Sequence, residues 1–256
     1  MSKCHLNEIR LILKAYLEHV NYKIERKQTL NYIHFLKEKY SISRYRKKFY
    51  QIRKFLNYLG IDWLNDIELP SEPEYKPKRV TREDILKALE YFKNHPCFLQ
   101  IKALILLGAS SGLRAEELYQ LEPEDIDLEN RIVYVKHEPA NGKTTKTGKS
   151  RISFFNEEAK QALIEYLQFF NNGCKLKRLF GKTHLERAFR NAPIKVKDLR
   201  KFFSQEWERR NGSYAVKEIL MGHSLKNKVD LQHYTYLDAD DLKKIYDKVF
   251  SNYKIV

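Results

Sequence analysis

A proline-containing segment near residue 70 divides this chain of 256 residues into two parts, and that division limits the folds open to it. The segment 69–79 contains three prolines and charges of both signs. Prolines at this density interrupt helices and central strands, and such a composition is typical of a linker. We therefore predict a linker at 69–79, a small domain at 1–68 and a larger domain at 80–256.

The smaller domain has the apolar spacing of short helices. Apolar residues recur at three- and four-residue intervals in three stretches, the last at 43–59. The remaining positions of this third stretch carry basic residues and no acid, among them Arg44, Lys47, Lys48 and Lys54. A basic amphipathic helix that also carries aromatic residues suits a phosphate backbone, and these four residues are DNA-binding candidates. An ordinary solvated helix face is the alternative.

The larger domain mixes many helical stretches with two short strands. The strand-like runs at 131–136 and 151–155 flank a polar, glycine-containing stretch, which predicts a long hairpin. Helical spacing predicts helices at 85–93, 98–109, 157–170, 184–190, 197–210, 213–221 and 239–250. Thr81 with Asp84 predicts a capped start to the first of them. The predicted fold class is mainly α with a small antiparallel β-sheet.

The charge balance points to a polyanionic partner. The 48 lysines and arginines outnumber the 33 acids, so the net charge is +15. Nucleic acid is the first interpretation, and an anionic membrane surface or a lysine-rich solvated surface is the alternative. Cys4, Cys97 and Cys174 form no CxxC pair, and no run of apolar residues is long enough to span a bilayer. We expect a cytoplasmic protein without a zinc site, a membrane span or a cofactor.

Five short motifs carry side chains that suit phosphate chemistry. They are SGLRAEEL at 111–118, the lysine-tipped hairpin at 143–151, KDLR at 197–200, MGHS at 221–224 and HYTYL at 233–237. An arginine beginning a helix can bind phosphate through its bidentate fork, although Arg114 beside two glutamates also fits a simple ion pair. Lysines on a turn usually only solvate it, a single histidine is usually structural, and tyrosines are usually anchors. Taken singly, each motif is weak.

Taken in order and spacing, the five motifs resemble the catalytic set of the tyrosine recombinase family, over roughly residues 80–250. The resemblance implies an N-terminal helical core-binding domain and a C-terminal catalytic domain with a packing helix. It implies DNA cleavage and rejoining through a covalent 3′-phosphotyrosine, with double-stranded DNA as partner and no metal. The catalytic residues implied are Arg114, Lys146, Lys197, Arg200, His223 and Tyr234. Glu117 matches the acid of the first box and would support Arg114.

Two positions depart from the family pattern. The H-x-L-R box has Lys197 in place of its histidine, as in archaeal virus and plasmid integrases, and lysine is a poorer proton shuttle near neutral pH. The span from His223 to Tyr234 is about two residues longer than in bacterial Xer-type recombinases, which leaves Tyr236 as an alternative nucleophile. Lys143 and Lys149 are alternatives to Lys146 as the general acid.

The resemblance also implies assembly. In this family, a segment beyond the nucleophile packs on a neighbouring subunit, so we expect a tetramer on DNA joined through the apolar stripe Leu242, Ile245, Tyr246 and Val249. Packing of the stripe on its own domain is the alternative. For function, the alternatives are type IB topoisomerase-like DNA relaxation and a catalytically inactive DNA-binding protein on the same scaffold. Integration, excision and dimer resolution all remain open.

Overall fold

The chain folds as two compact units, Met1–Pro77 and Lys78–Val256, and the division falls inside the proline-containing segment. The computed structural model describes residues 3–170, 177–223, 237–250 and 253–256. In this described part, no helix has the length and apolar composition needed to cross a bilayer.

The first unit contains helices α1 (Lys3–His19), α2 (Arg26–Lys39) and α3 (Ile42–Tyr58), followed by a short 3₁₀ turn at Trp63–Asp66. The apolar stripe of α3 is buried in a core shared with the other two helices. Buried Tyr16 and Thr29 join α1 to α2 through a 2.8 Å hydrogen bond between their hydroxyl groups. Because one stripe of α3 faces this core, its basic positions lie on the outer side.

The second unit is built around one helix that is buried on all sides. Helix α4 (Arg82–Phe92) begins at Thr81 with a capping box to Asp84, as predicted. Helix α5 (Phe98–Ser111) follows and is the central helix, with α7 (Glu157–Phe170) and α9 (Val196–Arg209) packed against it. The remaining helices described are α6 (Ala115–Gln120), α8 (Lys182–Ala188), α10 (Tyr214–Met221) and α11 (Ala239–Phe250).

A three-stranded antiparallel sheet lies beside these helices. Its strands are β1 (Ile126–Asp127), β2 (Ile132–Val135) and β3 (Arg151–Phe154), paired in that order. Val135, at the end of β2, pairs with Arg151, at the start of β3. The long connection at 136–150 therefore leaves the sheet and returns to it at the same end. The predicted fold class is therefore confirmed. Strand β1 was not predicted, because two residues are too few to show a period of two.

The apolar stripe predicted for the last helix is buried. The stripe on α11 packs within its own unit: Leu242, Tyr246 and Val249 are buried there and Ile245 partly so. The Tyr246 hydroxyl donates a 2.9 Å hydrogen bond to the Ser110 carbonyl at the end of α5. In the single chain, aromatic residues of the same unit thus cover the stripe, and its packing on a neighbouring subunit stays a prediction.

Candidate active site

The end of the central helix positions the first predicted arginine. Helix α5 ends at Gly112, whose φ of 67° lies in the left-handed region that favours glycine. A Cβ at this position would lie 2.4 Å from the Phe203 ring, so a larger residue does not fit. The chain turns sharply here, and Arg114 becomes the N-terminal capping residue of α6.

Buried Glu117 holds two arginines in place. Its carboxylate accepts from the Arg114 backbone N–H at 2.8 Å and from the Arg114 guanidinium at 2.9 Å. Arg151, at the start of β3, donates to both carboxylate oxygens, at 3.0 and 2.7 Å. Burial by itself would raise the pKa of Glu117, but the hydrogen bonds and charges of Arg151 and Arg114 lower it overall. Glu117 is therefore ionised and fixes both guanidinium groups.

Arg200 and His223 complete the group. Arg200 projects from α9 and donates to the Gly112 carbonyl at 2.7 Å, and its Nη2 lies 2.9 Å from Nε2 of His223. Burial, with repulsion from nearby Arg114, lowers the pKa of Arg200 to about 9. Arg114 in turn donates to the Gly222 carbonyl at 3.2 Å, next to His223. We call Arg114, Arg151, Arg200, Glu117, Glu218 and His223 the guanidinium cluster.

Gly222 is required by this packing. Gly222 ends α10 with a φ of 65°, and a Cβ there would lie 2.7 Å from the Arg151 guanidinium. Arg151 also donates to the Leu220 carbonyl at 2.9 Å. The sequence motifs gave Arg151 no role. Arg151 reaches Glu117 because of the register of β3, and residue spacing in the sequence does not show that register.

The hairpin lysines separate into two kinds. Lys143 is buried, and its ammonium contacts Asp125 at 2.6 Å and Glu122 at 2.7 Å. Its burial would lower the pKa of Lys143, but these carboxylates raise it overall. Lys143 thus anchors the hairpin, which disfavours it as the general acid. Lys146 and Lys149 are exposed on the connection between β2 and β3.

The hairpin is also tied to the helix that follows Arg114. The Thr144 backbone N–H donates to the Gln120 side-chain oxygen at 2.6 Å, at the end of α6. Thr145, also in the hairpin, donates from its hydroxyl to the Lys149 carbonyl at 3.0 Å. These two hydrogen bonds fix the backbone on either side of Lys146, while the Lys146 side chain itself is exposed to solvent.

The other predicted residues fall in three places. Lys197 lies in the first turn of α9, one turn before Arg200, and its side chain is exposed. Among the described residues, it has no hydrogen bond or ion pair that fixes it. Tyr234 and the alternative Tyr236 lie outside the described residues.

The four DNA-binding candidates of α3 have different surroundings. Lys47 forms an ion pair with Glu8 of α1 at 2.6 Å, and Lys48 lies over the Tyr40 ring at 4.6 Å. Arg44 and Lys54 are exposed, and no described residue pairs with either. The basic face of α3 has no acidic residue of its own. The sequence could not show that Glu8, which belongs to α1, would pair with Lys47.

The guanidinium cluster can bind an anion but lacks the composition of a metal site. Three arginines face two glutamates, so the cluster has an excess of positive charge. The Arg114 and Arg200 guanidinium groups carry fixed N–H donors, which suit the oxygens of a phosphate. Within the described ranges, no three metal-binding side chains come together.

Comparison with known proteins agrees with this fold. The model of the phage integrase family matches residues 78–232. The tyrosine recombinase XerA of Saccharolobus solfataricus is 32% identical over 209 residues, which cover 78% of this chain and 66% of that protein. The tyrosine recombinase XerC of Histophilus somni is 29% identical over 220 residues, covering 77% and 71%. The match thus spans slightly under two thirds of the archaeal relative.

A solved structure of lambda integrase, residues 75–356, as a dimer bound to a COC′ core site has the same fold. Its TM-score is 0.67 at 13% identity, and the alignment covers 93% of this chain and 92% of that one. The fold and the matched family model define the class, a protein of the integrase type. The chain belongs to the phage integrase family and is a member of its site-specific tyrosine recombinases.

Proposed function

We propose that this protein cleaves and rejoins DNA strands at specific sites through a covalent 3′-phosphotyrosine intermediate. The observation that carries the proposal is the guanidinium cluster, in which two arginines from different helices converge beside His223. Transfer at a phosphodiester builds negative charge on the non-bridging oxygens, and fixed donors stabilise that charge best. Family membership supports the same chemistry.

In the proposed reaction, the Tyr234 hydroxyl attacks phosphorus and loses its proton. A bond forms between the tyrosine oxygen and phosphorus, and the bond to the 5′ oxygen breaks. Lys146 gives a proton to that 5′ oxygen, and Arg114, Arg200 and Lys197 donate to the phosphoryl oxygens. The phosphotyrosine keeps the energy of the broken bond, so a 5′ hydroxyl can reverse the step without a nucleotide cofactor.

We propose double-stranded DNA as the partner. The net charge of +15 favours a polyanion, and so do Arg44 and Lys54, which have no partner among the described residues. The lambda integrase structure named above is bound to a DNA core site. Arg44 and Lys54 are better placed for this than Lys47, which is already paired. We further propose a cytoplasmic enzyme that works as a tetramer on DNA, joined through α11.

A test begins by selecting the bound sequence from a random duplex library with the full chain. The selected site is then placed in a nicked suicide duplex, in a two-site recombination substrate and in a supercoiled plasmid. We expect covalent protein–DNA complex and recombinant product. Relaxation without recombinants would indicate a topoisomerase instead, and binding without any covalent complex would indicate a catalytically inactive DNA-binding protein.

A further inference from the structure

A buried glutamate lies directly behind the histidine of the cluster. Glu218 is in the last turns of α10, and its side chain is only 7% exposed. Its Oε1 lies 2.6 Å from Nδ1 of His223. The left-handed turn at Gly222 folds the chain back, so that two residues five positions apart meet. On the other side of the ring, Nε2 faces Arg200 at 2.9 Å.

These contacts determine which nitrogen of His223 carries the proton. An arginine offers only N–H donors and no acceptor, so Nε2 must accept from Arg200. A neutral imidazole has one N–H, which is then on Nδ1 and is donated to the Glu218 carboxylate. A hydrogen bond from a carboxylate to the far nitrogen of a histidine also fixes the orientation of the ring.

Among the described residues, the charged groups that face His223 come from four elements. The acidic side chain of Glu218, in α10, and the basic side chain of Arg200, in α9, both contact the His223 ring directly. Arg114 donates to the Gly222 carbonyl, and Arg151 packs against Gly222. Glu117 is bonded to both of these arginines. Glu218 is thus the acid that contacts the ring itself.

We propose that Glu218 is a positioning residue that presents Nε2 of His223 as the proton acceptor for strand cleavage. The proposal rests on the proposed function. A bound phosphate draws the Arg200 guanidinium to its oxygens and leaves the Nε2 lone pair open. The proton of the attacking tyrosine hydroxyl moves to Nε2 as the oxygen–phosphorus bond forms. The resulting imidazolium is stabilised by the ionised Glu218.

The composition of the site favours this assignment. Lys197 stands at the position of the family's other histidine, and an ammonium group has donors but no lone pair to accept a proton. Arginine has the same limitation. Among the predicted catalytic residues that the structure describes, His223 is therefore the one that can accept the tyrosine proton. When the 5′ hydroxyl attacks in the rejoining step, the proton returns from Nε2 to the tyrosine oxygen.

The tautomer can be measured without DNA. Long-range proton–nitrogen NMR spectra of the full chain labelled in histidine would show which ring nitrogen is protonated, and a His223→Gln variant would identify the signal. We expect the Nδ1–H tautomer at neutral pH. An Nε2–H tautomer would overturn the proposal. This measurement does not depend on whether the protein cleaves DNA.

The role in cleavage is tested by Glu218→Gln, which keeps a hydrogen-bond acceptor but removes the charge. Single-turnover formation of the covalent complex should slow by about 10- to 100-fold, the range typical of groups that orient a functional histidine. Glu218→Ala should be slower still. The acid limb of the pH–rate profile should move to lower pH, because the variant removes the negative charge in contact with Nδ1.

Glu206→Gln is the matched control, because Glu206 is also buried in this unit but pairs with Arg209 and Arg210. It should leave both the rate and the profile unchanged. A slower Glu218→Gln whose acid limb stays in place would show a purely structural role and overturn the proposal. If the wild-type chain forms no covalent complex, the proposed function and the acceptor role fail, while the NMR result still reports the positioning.

Discussion

The guanidinium cluster and the basic face of α3 both concentrate positive charge, but the two regions hold it differently. In the cluster, the Arg114 and Arg151 side chains are 22% and 9% exposed and both are bonded to Glu117. On α3, Arg44 and Lys54 are exposed without a described partner. Fixed donors need no reorganisation during the reaction, so they can stabilise the transition state more than the ground state. Mobile surface charges attract a DNA duplex but stabilise its ground state and its transition state alike.

This contrast predicts that the same loss of one positive charge has very different effects in the two regions. In the cluster it should act mainly on the rate of cleavage. On α3 it should act mainly on DNA affinity and its salt dependence. Lys146, on the hairpin, shares features of both regions. It is exposed like the α3 residues, but it is proposed to take part in the reaction.

The largest effect is expected for Arg200→Ala. Formation of the covalent complex should slow by about 10³-fold or more, because the variant loses a fixed donor at the position where charge develops. DNA affinity should change far less. Suicide-substrate cleavage and equilibrium binding, measured at one salt concentration, give the two numbers. Arg114→Ala should behave alike, and a loss of affinity as large as the loss of rate would remove the distinction between the regions.

Lys146→Ala should slow cleavage by about 10²- to 10⁴-fold, the range of a general acid. A substrate with sulfur at the 5′-bridging position has a leaving group that needs little protonation, so it should restore the rate. Comparing both substrates on Lys146→Ala and Lys149→Ala checks the assignment. Rescue of Lys149→Ala instead would place the general acid three residues further along the hairpin.

Glu117→Gln should lower the free energy of unfolding by about 3 kcal/mol at pH 7, because it leaves two largely buried guanidinium groups without their carboxylate. The pKa of Glu117 is lowered in the folded state, so its stabilisation is present above the ordinary value of 4.5 and is lost as the pH falls towards the folded value. The difference between wild type and variant should therefore shrink below pH 4.5, which urea unfolding at several pH values would show.

The control for this experiment is the neighbouring Glu116→Gln. Glu116 is exposed and forms a surface ion pair with Lys182, so its loss should cost less than about 1 kcal/mol. A Glu117→Gln variant no less stable than this control would mean that the carboxylate does not hold the cluster together.

The smallest effect is expected for Lys54→Gln on the face of α3. If this side chain neutralises one phosphate, the slope of log affinity against log salt should fall by about 0.9, with cleavage of bound DNA unchanged. Lys47→Gln is the matched comparison on the same helix and should change the slope less, because Lys47 is already paired with Glu8. Equal slopes for both variants and wild type would exclude this face from the DNA contact.

Local features of the sequence carried much of the fold. Helix α7 was predicted at its observed bounds because its apolar spacing is regular, and the predicted end of a helix at residue 221 coincides with the left-handed turn at Gly222. The apolar stripe of α11 was predicted correctly as a stripe, and in the single chain its own unit covers it. A stripe shows that a surface will be buried but does not say against what.

The candidate site was predictable to a smaller degree. Motif order selected Arg114, Arg200 and His223, and the structure brings these three together. Sequence reasoning missed Arg151 and Glu218 as parts of the cluster. Arg151 reaches Glu117 only through the register of β3, and Glu218 meets His223 only because the chain reverses at Gly222. Both contacts depend on tertiary geometry, which residue spacing does not encode.

The most direct test of the central claim is to identify the tyrosine that becomes covalently linked to DNA. The full chain is trapped on the nicked suicide duplex, digested, and the peptide that carries the nucleotide is located by mass spectrometry. We expect the nucleotide on Tyr234, and no adduct from a Tyr234→Phe variant that still binds DNA with wild-type affinity. A modification on Tyr236, or an adduct formed by Tyr234→Phe, would contradict the assignment of the nucleophile that the guanidinium cluster is proposed to serve.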